Sequence, residues 1–305
     1  MKSLEREPTG ETLYHGIQGI EISTSGWLGK ESQLYAIVNQ LNKKRPSDDR
    51  IGIEIYPNNL IVTPYNIKEW EKEYSKAKTT RIHLPFHYNL SENLLGIIKE
   101  KKISEKFYCL VWLGIFGVAK NERAVKIAQQ LGLEVGMHPN VAEGFALEGK
   151  LDGIKQNVPA TFVENQRPSP SNIVKDQRKI FDPLIIKDLI KAYQLTGFIL
   201  DTEHLKKEQF IGMRGYEKGI DPILSLEQTK DVLARIHISG EKGAHGLPHP
   251  NDSFFNSVLA KVSLMDFNHP LKIVFDFSPI PLFRKSPQEK LELLKNLIEK
   301  VDSYR

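Results

Sequence analysis

The chain has 305 residues, 40% of them hydrophobic and 26% charged, an ordinary soluble mixture and not a disordered or membrane one, which allows the core of one barrel-sized domain. With 42 basic and 38 acidic residues the net charge is +4, too small by itself to argue for a nucleic-acid partner. The single cysteine, Cys109, excludes an intrachain disulfide and fits a reducing, cytoplasmic setting; no apolar signal core stands near the N-terminus, and the longest apolar run, Phe107 to Ala119, falls short of the ~20 residues of a membrane span.

A polar leader over residues 1–14 precedes GIQGIEIS, a β-branched run read as the first strand. The pattern predicts a helix from Glu31 to Lys43, with Leu34, Ile37, Val38 and Leu41 on one face. RIGIEIYP, the second strand, repeats the GIEI of the first, which places Glu21 and Glu54 in matching contexts. The helix NIKEWEKEYSKAK leads to a third strand, TRIHLPFH. The rhythm then stretches: an extra apolar and helical insertion over about 91–120 contains FYCLVWLGIFGVA, read as buried, with a homodimer contact as the alternative. After the helix ERAVKIAQQLG come strands four and five, LEVGMHPN and ATFVENQ. A Pro- and Ser-rich loop and a helix from Pro183 to Leu195 lead to strand six in GFILDTEH. Strand seven, ARIHISG, follows a helix near Leu226 to Leu233; strand eight, KIVFDFSP, follows one near Phe254 to Leu264. Ser286 and Pro287 open the last helix as cap and first residue.

Eight alternating strand and helix units make this an α/β protein with a parallel sheet. A doubly wound sheet gathers its site at one switch point, whereas a (β/α)8 TIM barrel gathers all eight strand ends around one mouth. Polar residues close to strand ends occur here on at least six strands, so the single-domain TIM barrel over 1–305 is the expectation. The steps Glu164 to Asp201, Asp201 to His237 and His237 to Asp276 are 37, 36 and 39 residues, each about one βαβ unit of roughly 30 to 40 residues.

Those four residues are the expected metal ligands. A strand-end acid is often only a helix cap, and a lone strand histidine is often only core. A carboxylate among apolar strand residues is nevertheless costly without a cation or donors beside it, and four such positions recur at one end of successive strands. His83, His138, His204 and His249 are candidates for a second ion or for substrate, with His245 less so and His87 able to exchange roles with His83; His15 and His269 lie outside the pattern. Glu54 is a candidate substrate contact or a group supporting the ligands from behind; Arg167 and Arg214 are candidate substrate contacts, and Arg178 and Lys218 are loop cations of the same kind, for which a solvated role is the alternative. Mixed carboxylate and imidazole donors suit zinc, manganese or cobalt better than calcium. Such an ion would serve either proton transfer on a sugar or attack of water on a phosphodiester.

At these residues the chain resembles the xylose-isomerase-like TIM-barrel superfamily, which contains sugar-phosphate isomerases and epimerases and the endonuclease IV type of apurinic endonuclease. The isomerase branch implies one metal on Glu164, Asp201, His237 and Asp276, with Glu164 and Asp276 also the paired bases. The endonuclease branch implies further ligands at His83, His138 and His204, and His249 matches its loop histidine. Against that branch, no acid stands beside His249, Asp276 replaces a glutamate, and ENQRPSP lacks the glycines expected after Glu164. The resemblance therefore implies first a divalent-metal-dependent isomerase or epimerase of a sugar, polyol or sugar phosphate. A nuclease of abasic DNA comes second, and a barrel that only binds a small ligand third.

Overall fold

A computed structural model describes residues 12–27, 29–57, 63–84, 120–166, 178–206, 218–240, 246, 248–277, 282 and 285–305. The insertion at about 91–120, with Cys109 inside it, and the leader up to residue 11 lie outside the described residues, as do His87, Arg167, Arg214 and His245.

Eight parallel strands close into a barrel: β2 (Ile17–Ser23), β3 (Gly52–Ile55), β4 (Lys78–His83), β5 (Glu134–Met137), β6 (Thr161–Glu164), β7 (Gly197–Asp201), β8 (Leu233–Ile238) and β10 (Leu271–Phe275), with β10 paired to β2. This is the (β/α)8 fold expected from the spread of polar strand ends. The strands are buried on both faces, so they read as near-continuous apolar runs rather than as alternation. Outside the ring, β1 (Tyr14–His15) pairs antiparallel with β9 (Asp266–Phe267), and Gly16, at φ 64°, turns the chain from β1 into β2. His15 belongs to this exposed pair, bonded to Asp266, and is remote from the barrel mouth, as the pattern implied.

Helices follow their caps. The side chains of Thr63, Asp182, Asp221, Asp252 and Ser286 each accept a backbone N–H at a helix start, and Pro stands in the first turn of four of these five helices. Three boundaries depart from expectation. The first helix, α1 (Glu31–Leu41), gives way to a 3-10 turn at Asn42, whose side chain bonds the backbone of Ile51 and Lys76. The helix before Asp201 stops at Tyr193 because Gln194 turns left-handed at φ 52°. The helix before β8 is Pro222–Thr229 and not Leu226 to Leu233; Leu233 is wholly buried and opens the strand. Two helices between β5 and β6, Pro139–Leu147 and Leu151–Asn157, carry Gly144 and Gly153 and are joined through Gly149, at φ 67°, which blurs their periodicity in the sequence.

The GIEI repeat does not place Glu21 and Glu54 alike. Glu21 pairs in register with Gly52, and Glu54 with Ser23, so the stagger of a closed barrel sets the second glutamate two residues nearer the mouth.

Candidate metal centre

Side chains two residues apart on a strand share a face, and the barrel interior is built in steps of two. On β4 and β8 the same tripeptide, Arg-Ile-His, sets Arg81 below His83 and Arg235 below His237. The lower step is an ion-pair network. Arg235 donates to Glu21 through Nε at 3.1 Å and also pairs with Glu134, while its guanidinium lies 4.4 Å over the ring of Phe162. Lys272 Nζ reaches Glu21 at 2.8 Å, and Arg81 pairs with Glu54. These three acids and three bases balance. Glu21 is held well below the usual carboxylate range: burial alone would raise it, but Arg235, Lys272 and Arg81 outweigh burial. Burial, aided by Arg235, pushes the Arg81 guanidinium down to about 10, so it stays charged at neutral pH.

Above that step lie the expected ligands. Glu164, Asp201 and His237 are buried at the ends of β6, β7 and β8; Asp276, one residue past β10, is half-buried. Glu164 Oε2 lies 3.2 Å from His237 Nδ1 and 3.2 Å from His83 Nδ1, and Asp276 Oδ2 is 3.8 Å from His237 Nδ1. Asp201, His237 and Asp276 form one group with donor atoms mutually within 4.8 Å, and Glu164, Asp201 and His204 form another. The four residues expected as ligands thus meet at one mouth in two overlapping groups that share Asp201. Burial raises the Glu164 carboxyl above its ordinary value, against the pull of His237. For His237 the balance reverses: burial would lower the imidazole, but Glu164 and Asp276 draw it up.

The histidines of strands three and four join them. His83 and His138 face each other through Nε2 at 3.1 Å, and with Glu164 they make a third group of possible ligands. Burial, then the neighbouring His138 and His237, holds His83 well below its usual value, so it is neutral and can ligate. His204 sits in a 3-10 turn after β7, where Nδ1 donates to the Asn165 carbonyl at 2.7 Å; a carbonyl only accepts, which leaves Nε2 as the donor atom for an ion. Asp201 reconciles its two readings. Its Oδ1 does cap the turn, accepting from the N–H groups of Glu203 at 2.7 Å and His204 at 3.3 Å, while Oδ2 lies 3.5 Å from His204 Nδ1.

One candidate falls elsewhere. His249 is exposed, accepts from the Asn251 N–H, and lines a groove against the last helix beside Asn296 and Lys300, because its loop turns outward into the Asp252 cap. Glu54, read as a substrate contact or as a group supporting the ligands, is buried against Arg81 and reaches His237 Nε2 at 3.3 Å. Of the loop cations, Arg178 is exposed and paired with Asp182, and Lys218 is exposed.

The donor set fits a divalent ion. His83 Nδ1, His237 Nδ1 and Glu164 Oε2 are buried side by side, yet none makes a hydrogen bond of proper geometry. Ligand bonds of about 2.0–2.1 Å in a tetrahedron set neighbouring donors about 3.3 Å apart. Glu164 Oε2 lies 3.2 Å from each of those two nitrogens, close to that spacing, while His83 faces His138 through its other nitrogen. Residues not legible in the sequence complete the surroundings: Ser25 Oγ donates to Asp276, Asn165 holds the Asp201 backbone through bonds of 2.7 and 2.9 Å, and Tyr56 stacks on His83.

The fold and donor set together define a closed parallel barrel with a candidate metal centre at the C-terminal mouth of its strands, the architecture that the superfamily resemblance implied. No protein-family model and no curated protein matches the chain. Among solved structures it is similar to the apo form of 3-keto-D-glucoside 4-epimerase, YcjR, from E. coli. Identity is 13%, 93% of this chain and 98% of that one are covered, and the TM-score is 0.49, a likeness too distant to carry an argument about this protein. No described helix is long and apolar enough to cross a membrane.

Proposed function

We propose that the protein is a divalent-metal-dependent isomerase or epimerase acting on a sugar, polyol or sugar-phosphate-like substrate by carboxylate-mediated proton transfer. The observation that carries this reading is the pair of carboxylates, Glu164 and Asp276, flanking one ring nitrogen of His237 at 3.2 and 3.8 Å. Glu164, Asp201, His237 and Asp276 would hold the ion, which when bound supplies a Lewis acid for a carbonyl or hydroxyl of the substrate. The chain's own groups do the rest. Glu164, its carboxyl raised by burial, takes a proton at Oε2 more readily than a solvated glutamate does. Asp276 is anchored at Oδ1 by Ser25 and, being only half-buried, is the carboxylate open to the mouth. Burial raises the Tyr56 phenol, with Asp276 and Glu164 acting in the same sense, so beside His83 it remains a hydroxyl donor. A cytoplasmic setting accompanies this reading, on the single cysteine.

The test is solvent exchange. Zinc-, manganese- or cobalt-loaded protein incubated in D2O with a panel of aldoses, ketoses and their phosphates is expected to place deuterium on the carbon next to a carbonyl. E164Q should lower that rate at least about 100-fold, the usual worth of a general base. Absence of exchange across the panel removes the isomerase reading.

A second reading, a phosphodiesterase acting on abasic DNA, has its own observation in the His83–His138 pair beside Glu164, a further set of donors beyond one ion's needs. One ion per chain favours the isomerase; two or three, with cleavage of an abasic duplex, favour the nuclease.

A further inference from the structure

The chain leaves β2 through a 3-10 turn, Thr24–Trp27, and the strands on either side of β2 in the ring are β3 and β10. The turn holds the end of each. On the β3 side, Thr24 Oγ1 accepts from the Tyr56 N–H at 2.8 Å, and its hydroxyl donates to the Tyr56 carbonyl at 3.4 Å. On the β10 side, Ser25 Oγ donates to Asp276 and lies 3.2 Å from the Phe277 carbonyl. Side chains alternate along a strand, so Tyr56, two residues beyond the buried Glu54, is directed into the ring one step nearer the mouth. Pro57 favours an extended backbone at Tyr56, which carries that direction past the end of β3. The half-buried Tyr56 ring reaches the face of His83, with centroids 5.5 Å apart and planes at 28°, and His83 Nδ1 is itself 3.2 Å from Glu164 Oε2. Among the described residues the hydrogen bonds of Tyr56 are made by its backbone, so the phenol hydroxyl is not engaged by the protein. A phenol keeps its proton at neutral pH, and here burial, then Asp276 and Glu164, hold that proton more firmly still.

When a carboxylate takes a proton from the carbon beside a carbonyl, the C–H electron pair becomes a C=C bond and the carbonyl π pair moves onto its oxygen. Charge gathers on that oxygen, and a neutral donor already fixed beside it lowers the barrier. Return of the proton to the opposite face of the same carbon gives the epimer. Return to the former carbonyl carbon, with the neighbouring hydroxyl proton passing to the first oxygen, gives the isomer. We propose that Tyr56 is a catalytic residue, the hydroxyl donor to the substrate oxygen on which this charge gathers, and that Thr24 is its positioning residue. Tyr56 keeps its own proton throughout. The inference rests on the isomerase reading and deepens it: adjacent residues of one turn hold the donor after β3 and the Asp276 carboxylate after β10, so the carbonyl oxygen and the reacting carbon of the substrate are met from two sides at a set spacing.

The experiment measures deuterium incorporation from D2O by the zinc-loaded full chain, with the sugar of the panel that the wild type exchanges fastest. Y56F, which deletes only the hydroxyl, should lower the saturating rate roughly 100-fold, the usual effect of removing one oxyanion donor. KM should stay within about threefold, because the bond strengthens only as the charge develops, and Zn²⁺ affinity should stay that of the wild type. T24V, which leaves the Tyr56 N–H without its acceptor, should lower the rate about 10-fold by misplacing the ring, and T24S, which restores the hydroxyl, should return it to within about threefold of wild type. A Y56F protein that exchanges at the wild-type rate overturns the inference. If Y56F does not fold, equal rates in T24V and T24S overturn it instead. Both results leave the isomerase reading standing, whereas a wild type that exchanges no sugar of the panel removes that reading and this inference with it.

Discussion

Replacing Arg235 by methionine tests whether the charged lower step of the barrel is a coupled unit. Methionine keeps much of the arginine stem's contact with Phe162 but removes the guanidinium, so the loss is mainly electrostatic. Glu21, fully buried, would lose a two-pronged partner and keep Lys272 at 2.8 Å and Arg81 at 4.0 Å. Breaking a buried ion pair from one side costs about 3–5 kcal/mol, and the surviving Lys272 contact places this variant near about 3. With a urea dependence near the upper end of about 1–3 kcal/mol per molar for a chain of this size, the unfolding midpoint should fall by roughly 1 M. The pH dependence has a fixed sign. Glu21 is depressed in the folded protein, so its stabilisation is complete above the ordinary carboxylate value and is lost as pH falls through the depressed one. In R235M the depression is smaller, so the acid-dependent loss starts at the same ordinary carboxylate value but is smaller and is complete at higher pH. Removing both partners in E21L/R235M should recover much of the stability, because Lys272 and Glu134 are partly exposed and can turn to solvent. An R235M protein within about 0.5 kcal/mol of wild type, the range of an ordinary surface change, would refute the reasoning.

Three further variants probe the support of the centre. Gly26→Ala would bring a Cβ to 2.6 Å from the Phe277 ring and 2.9 Å from its carbonyl, costing about 1–3 kcal/mol and drawing Ser25 away from Asp276; calorimetry should show weaker Zn²⁺ binding together with lower stability. Asn165→Leu strands the buried N–H and C=O of Asp201, at about 1–3 kcal/mol for each group, and should lower both the unfolding midpoint and the Zn²⁺ affinity. Ser286→Ala removes the capping box of the last helix, Pro287–Asp302, for about 1 kcal/mol of stability, and leaves Zn²⁺ affinity unchanged.

The fold and the strand ends with candidate ligands were legible because both depend on local signals. An apolar run that closes on a single acid or histidine, once per unit, is visible in one dimension. What lay beneath these candidates was not. Arg81 and Arg235 look like surface cations in composition, and only the repeated Arg-Ile-His, read with a period of two, would have put both inside the barrel under a histidine. Glu21 and Glu54 share a tetrapeptide but not a level, since barrel stagger is set by strand pairing across the ring and not by local sequence. His249 is close in sequence to a site loop, yet its chain turns toward the last helix, a choice made by the Asp252 cap. Asn165 follows directly on Glu164 and resembles an ordinary loop residue; its role depends on the backbone of a strand 36 positions away.

The central claim, that these barrel side chains share a cation, is tested most directly by elemental analysis of protein purified without chelator, for the wild type and for the double variant E164Q/D201N. At least one zinc, manganese or cobalt per wild-type chain, lost from the folded variant, is the predicted result. A folded wild-type protein that carries no transition metal and takes up none on dialysis against micromolar zinc, manganese or cobalt would contradict it.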